Sequence, residues 1–327
     1  MMATIHDVAR EAGVSIATVS RSLNGRARVS ERTRARVLEV AAALEFHPNR
    51  AARGLVTGRL GNVGVLVPDL TNPFFTPILA GIEEVAQSRD MGVFVADTRE
   101  DVDAEGRLIT RLSQQVDGVV LVASRMDEVD LLDLRIKDKA VLVNRVVRGM
   151  SSVAIDAYQG MSELVDHLGE LGHTRIAYLD GPSRSSLGRS KRLGLADRAK
   201  ELGIDLIVLG HRQPTFAAGR ESAEEVRSLD VTAVVAFDDL IAWGLITRLH
   251  ELGVEVPREL SVAGFDDAIE EGMVRPALTS VSPQGTSLGI RAMDLLLDRL
   301  QRPAASASVE MLGCIVKRRD STRSILA

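Results

Sequence analysis

The chain has one cysteine, Cys314, only 3% aromatic residues, and no apolar run approaching the length of a membrane span. A single thiol excludes an internal disulfide and a cysteine-based metal cluster. With so few aromatics, the cores must be packed from Ala, Val, Leu and Ile. The short apolar runs give no membrane-spanning helix. The N-terminal segment MMATIHDVAR carries charges where a secretory signal would be apolar, so a cytoplasmic location is expected. Lysine is missing altogether from residues 1–60, yet that stretch holds ten arginines against five acids, a net +5. With −5 overall, the remaining residues hold −10. A basic head on an acidic body is expected where only the head meets phosphate.

Signatures of catalysis are also missing. No GxxxxGKS/T or HExxH occurs, so the common nucleotide and zinc motifs are absent. Gly58, Gly61 and Gly64 have the wrong spacing for a dinucleotide fingerprint and precede a strand rather than follow one. Six scattered histidines and one cysteine offer no nucleophile–base pair. No catalytic residue, metal site or cofactor is expected. Adjacent acids such as Asp238-Asp239 and Asp266-Asp267 suit ligand holding as well as chemistry.

What is present begins with three short helices. Thr4 caps Ile5 to Ala12, with Asp7 three residues on as in a capping box. Gly13 stops that helix. Ser15 caps a second, Ile16 to about Asn24, with Val19 and Leu23 facing inward. Ser30 caps a third, Glu31 to about Leu44, with Val37, Leu38, Ala41 and Leu44 as its buried stripe. Two helices joined by a tight turn and braced by a third make a helix-turn-helix unit. Pro48 then suits the first position of a short helix, Asn49 to about Leu55. That helix is too short to hold alone in water, and Gly54 weakens it further.

From Asn62 onward, apolar runs alternate with amphipathic helical segments. The runs are Val63–Val67, Val93–Ala96, Val119–Val122, Ala140–Val143 and Val153–Ile155, then Ile176–Leu179, Ile207–Leu209, Val234–Ala236 and Ser261–Phe265. Continuous apolar strands between helices predict a parallel sheet covered on both faces. So many strands exceed one comfortable core, and two doubly wound lobes are expected. Ligands in such sheets sit outside the carboxyl ends of the strands, here between the lobes. The predicted fold is a small all-α head plus an α/β body of two doubly wound parallel-sheet lobes. Its predicted divisions are 1–47 for the helix-turn-helix domain, 48–60 for hinge helix and linker, and 61–327 for the two-lobed body.

TIHDVAREAGVSIATVSRSLNG, then VSERTRARVLEVAAALEFHPNRAARGL, resembles the DNA-binding head and hinge of the lactose/galactose-repressor family. The resemblance continues through VGVLVPDLTNPFF, HLGELGHTRIAYLDGPS, AVVAFDDLIAWGLI, PRELSVAGFDD and RPALTSVSPQ, and so covers nearly the whole chain. It implies a transcriptional regulator, usually a repressor, whose operator affinity is set by a small molecule held between the lobes. The body resembles periplasmic sugar-binding proteins; a transport protein is the rival reading, which the helix-turn-helix and the missing export signal oppose.

The resemblance carries site residues with it. Ile16, Ala17 and Arg21 become the base readers, and Arg21 alone can make a bidentate contact to guanine. Ser15, Thr18, Ser20 and Asn24 become phosphate and backbone contacts. Leu55 becomes a wedge in the minor groove, with Asn49, Ala51 and Arg53 beside it. A palindromic double-stranded DNA operator needs two heads, so a homodimer is expected, with the helix near Phe75–Ala86 a candidate interface. No heptad pattern follows Ser321, so no tetramerising coiled coil is expected. For the effector, the resemblance implies Phe74, Arg145, Arg189, Lys191, Asp238 and Asp266. Asp239 is expected to cap the helix that follows, His173 to cap the helix before it, and Phe216 to offer a stacking ring in place of Pro214. A sugar or sugar derivative is the implied effector, a purine or nucleoside the alternative.

Overall fold

The computed structural model describes residues 3–23, 29–46, 59–269 and 273–326. The chain divides into two compact units, Met1–Gly61 and Asn62–Ala327.

The first unit holds α1 (Ile5–Ala12), α2 (Ile16–Leu23) and α3 (Glu31–Ala43). The capping box forms: the Thr4 hydroxyl accepts from Asp7 N and the Asp7 carboxylate accepts from Thr4 N at 3.0 Å. Such a cap is worth about 1 kcal/mol, a large share of what an eight-residue helix needs. Gly13 ends α1 in the left-handed conformation, φ +67°. Val8, Ala9, Ala12, Val19, Val37 and Ala41 close the core. Leu38 departs from the expected stripe and is 46% exposed. At 100° per residue, Val37, Val40, Ala41 and Leu44 span one arc and Leu38 lies beyond its edge.

The second unit contains two six-stranded sheets, in the orders β11-β5-β4-β3-β1-β2 and β12-β10-β9-β8-β6-β7. Their strands are β1 (Asn62–Val67), β2 (Gly92–Asp97), β3 (Gly118–Val122), β4 (Ala140–Val143), β5 (Ser151–Ile155), β6 (Arg175–Leu179), β7 (Asp205–Leu209), β8 (Ala233–Ala236), β9 (Ser261–Phe265), β10 (Thr279–Ser282), β11 (Val309–Leu312) and β12 (Ile315–Lys317). All pairings are parallel except β10 with β12. The inner strands are buried from end to end, which is why they read as unbroken apolar runs. The last three strands carry no such run. β11 and β12 are sheet edges and half-exposed, and β10 is the polar segment TSVS.

The helices of the body are α4 (Phe75–Ser88), α5 (Val102–Leu112), α6 (Glu128–Asp133), α7 (Ala157–Glu170), α8 (Ser186–Leu202), α9 (Phe216–Glu221), α10 (Ala223–Arg227), α11 (Asp239–Glu251) and α12 (Gly285–Gln301). The chain crosses between lobes three times. α12 returns to the first lobe, where it packs on α4 and on β3 to β5. The two helices approach at glycines: a Cβ on Gly289 would sit 2.0 Å from Ile78 O, and one on Gly81 would sit 2.2 Å from Thr286 O. β11 then completes the first sheet and β12 the second. The apolar face of α4, with Ile78, Gly81 and Ile82, is therefore spent inside the first lobe. No described helix is long and apolar enough to cross a membrane.

Candidate DNA-reading helix and inter-lobe cleft

α2 presents its N-terminal face outward. The Ser15 hydroxyl accepts from Thr18 N at 3.1 Å and shares a 2.9 Å hydrogen bond with the Thr18 hydroxyl, so both residues shape the helix start. Val19 is buried, as is Ser22, whose hydroxyl donates to Thr18 O. That register leaves Ser15, Ile16, Ala17 and Arg21 exposed and Thr18 and Ser20 half-buried. Arg21 donates through Nε to Ala17 O at 3.1 Å, which lays the side chain along the helix and leaves its terminal nitrogens facing out. Asn24, Asn49, Ala51, Arg53 and Leu55 lie outside the described residues.

In the body, the loops after β2 and β3 of the first lobe meet those after β6 and β7 of the second around a cavity of about 280 Å³. Glu100 and Arg125 line it from one side; Arg184, His211 and Arg212 line it from the other. Arg125 grips Glu100 with two bonds, 2.6 and 2.9 Å, and its own N–H donates to Glu105. Burial raises the Glu105 carboxyl above its ordinary range. Arg184 bridges the lobes, donating to both oxygens of Asp127 at 3.0 Å. None of these residues stood out in the sequence, because Glu100 and Arg125 meet only through the sheet order. β2 and β3 flank β1, and 25 residues separate the partners.

At the strand ends of the second lobe, Lys191 is 1% exposed and Asp266 6%. The Lys191 ammonium donates to Phe237 O at 2.8 Å and to Asp266 at 3.4 Å. It also lies 4.3 Å and 3.7 Å from the Phe237 and Phe265 ring centres. Its donors are used inside the protein, so Lys191 positions Asp266. Asp266 stands in the left-handed region at φ +107°. Burial pushes its carboxyl up to about 7, against the pull of Lys191.

The helix cap falls to the other of the two neighbouring aspartates. Asp238, not Asp239, caps α11, accepting from Ile241 N at 2.9 Å. Asp239 turns inward, accepting from the Ser280 hydroxyl at 2.6 Å and Ala268 N at 2.8 Å. Burial lifts Asp238 to about 6, opposed chiefly by the Ile241 bond and Lys191. Burial and Asp266 hold Asp239 well above the usual carboxylate range.

The other expected effector residues are distributed less simply. Phe74 is 6% exposed and edge-on to Phe75 at 5.0 Å, so its ring belongs to the core. Arg145 follows β4 and donates to Met126 O at 3.3 Å, while its buried Nε has no partner among the described residues. Neither does the neighbouring Asn144 Nδ2. Arg189 is exposed on the first turn of α8, with no ion pair among the described residues. Phe216 packs edge-on to Trp243 at 5.0 Å and is half-buried. The His173 side chain does not cap the preceding helix; its backbone N–H bonds Leu168 O, and its ring shares a 2.8 Å bond with Thr232.

A model of the lacI family of bacterial regulatory proteins matches residues 4–49, and one of the periplasmic binding protein-like domain matches residues 165–322. Catabolite control protein A of Priestia megaterium is 33% identical, over 99% of this chain and 100% of its own. The HTH-type transcriptional regulator GalR of Escherichia coli is 33% identical, over 90% and 89%. The HTH-type transcriptional repressor CytR of the same species is 30% identical, over 99% and 97%. Among solved structures, the Lac repressor dimer bound to operator and an anti-inducer matches with a TM-score of 0.88 at 27% identity, covering 99% of this chain and 100% of that one. The complex of the transcriptional regulator CelR with cellobiose matches at 0.72 and 28%, covering 98% and 99%. The chain belongs to the lacI family of bacterial regulatory proteins, and is a DNA-binding transcriptional regulator with a helix-turn-helix head and a periplasmic-binding-protein-like body.

Proposed function

We propose that this regulator is a cytoplasmic homodimeric repressor that reads a palindromic operator through Ile16, Ala17 and Arg21. Its grip is set by a sugar or sugar derivative held between the lobes. Asp238, Asp266, Asn144 and Arg145 hold that effector. The observation that carries the cleft assignment is a set of buried polar atoms without hydrogen-bond partners at strand ends of both lobes. Asn144 Nδ2 and Arg145 Nε belong to the first lobe and Asp238 Oδ2 to the second. Buried polar groups are nearly always paired, and each unpaired one costs about 1–3 kcal/mol. A polyhydroxylated ligand carries both donors and acceptors and satisfies both sides at once. The Lac repressor and CelR matches, solved with an anti-inducer and with cellobiose, support the same reading.

The rings favour a polyol over a purine. Phe74 faces Phe75, Phe216 faces Trp243, and Phe237 and Phe265 flank Lys191. Each of these rings already has a partner within the protein. Exposed apolar residues on the outer strands, Phe94 and Val95 on β2 and Val208 on β7, support a partner subunit along those edges.

Effector binding shifts operator affinity by the difference in its affinity for the two lobe arrangements. The test is a thermal-shift panel of monosaccharides, disaccharides, sugar phosphates, purines and nucleosides on the full chain, followed by operator binding with each hit. A saccharide that raises the melting temperature, loses that effect in Asp266→Asn and alters operator affinity is the expected result. A purine hit, or a saccharide hit indifferent to Asp266→Asn, overturns the assignment.

A further inference from the structure

The inter-lobe cleft is not the only concave site in the body. A groove of about 580 Å³ opens on the first lobe between the end of β2 and the outer face of α5. Arg99, Arg107 and Arg111 line it, with Ala104 and Leu108 as its apolar side. Positions 104, 107, 108 and 111 fall on one helical face, at spacings of three and four.

The arginines are unlike most in this body. Arg125, Arg175, Arg198, Arg220 and Arg291, for example, each pair with a carboxylate. Arg99, Arg107 and Arg111 form no ion pair among the described residues, and Arg107 does not pair even with exposed Asp103 one turn earlier. Arg107 and Arg111, four residues apart, repel one another on the helix. Two acids share the groove, and each has an oxygen engaged by backbone. Asp97 Oδ1 accepts from Arg99 N at 2.8 Å, and Asp101 Oδ1 accepts from Asp103 N at 2.9 Å and Ala104 N at 3.2 Å. The start of α5 is therefore already capped, and the three side-chain cations carry the attraction for an anion.

The backbone separates this groove from the cleft. Arg99 and Glu100 are consecutive residues with left-handed φ of +54° and +57°. Arg99 lines the groove, whereas Glu100 is held by Arg125 at the cleft. Two adjacent non-glycine residues in this region are costly, and such strain gathers at functional positions.

We propose that this groove binds a phosphate monoester on a small organic body. Three guanidinium groups match a dianion with three acceptor oxygens better than they match a carboxylate. The volume lies within the range of small-molecule sites rather than flat docking surfaces, and Ala104 and Leu108 give the organic part an apolar wall. Because the cations are exposed, binding is salt-sensitive.

The test is calorimetry on the full chain at low ionic strength, with inorganic phosphate, glucose 6-phosphate, glucose and a phosphoserine peptide as probes. Arg107→Ala with Arg111→Ala keeps helix-forming residues on an exposed face, so the fold is retained. The expected result is glucose 6-phosphate binding that weakens at least tenfold in the double variant and is unchanged in Asp266→Asn. Binding unaffected by the double variant overturns the proposal, as does binding lost in Asp266→Asn, which places the phosphate in the cleft. Absence of millimolar binding overturns it too. A phosphoserine peptide that binds more tightly than glucose 6-phosphate overturns the small-molecule source.

Discussion

Lys191 reaches Asp266 at 3.4 Å between the rings of Phe237 and Phe265, and the same ammonium holds Phe237 O at 2.8 Å. One cation thereby ties the ends of β8 and β9 to α8, and it fixes the carboxylate assigned to the effector. Removing it leaves a buried acid without a counter-charge. Lys191→Met is expected to destabilise the body by about 3 kcal/mol, at the lower end of what breaking a buried pair costs. It should also abolish the effector-induced thermal shift. Urea denaturation checks the first effect; a loss below about 1 kcal/mol would mean that ring packing, which methionine preserves, does the holding.

Asp238 gives the body a pH dependence of definite sign. Its carboxyl rises from an ordinary 3.8 to about 6 on folding. The contribution of a group raised in this way is fully present below its unfolded value and is lost as pH rises through its folded value. Asp238→Asn should remove a loss on the order of 3 kcal/mol between pH 4 and pH 6.5. Unfolding free energies of wild type and variant, measured across that window, should diverge as pH rises. Parallel curves would show that Asp238 stays ionised in the fold.

The buried histidines act in the opposite direction. His167 and His173 are 5% and 1% exposed, and burial lowers both below the ordinary 6.5. His167 shares a 3.0 Å bond with the Thr322 hydroxyl, and each ring has one nitrogen without a partner. Their neutral forms are favoured in the fold, so stability is present above pH 6.5 and lost as pH falls toward their folded values. His167→Gln should flatten the fall in melting temperature between pH 6.5 and pH 5. Amide exchange in residues 321–326, which lie beside these rings, should rise over the same range in wild type. No rise would detach the tail from the histidines.

Where each side chain's role depends on its own helix or strand, the sequence was readable. Thr4 and Asp7 announce a capped helix, and β3, β4 and β8 announce themselves as apolar runs because both faces of a parallel sheet are covered. Roles that depend on chain crossing were not readable. α12 serves the first lobe although the strands just before it, β6 to β10, build the second. Arg125 finds Glu100 across an intervening strand. Asp238 and Asp239 are the same residue type side by side, both buried, and only the turn of the backbone at the end of β8 decides which caps α11 and which turns to Ser280. Lys191 was legible as a cleft residue but not as a saturated one, since nothing local to α8 specifies Phe237 O or Asp266 as its partners.

Arg21 separates base reading from phosphate attraction in the head. Its Nε is held by Ala17 O at 3.1 Å, so the guanidinium enters any groove already oriented along α2. Ile16 and Ala17 offer only apolar surface, which leaves Arg21 as the residue on this face able to donate two parallel bonds to a guanine edge. Arg21→Ala should cost about 1–3 kcal/mol of discrimination at one base pair per half-site. Affinity for unrelated DNA should fall little, because the other head arginines remain to meet phosphate. Its salt slope should change by less than about one charge per head. Binding to operator variants at two salt concentrations tests both halves. A uniform loss across all sequences, with a shallower salt slope, would make Arg21 a phosphate contact and move base reading elsewhere on the head.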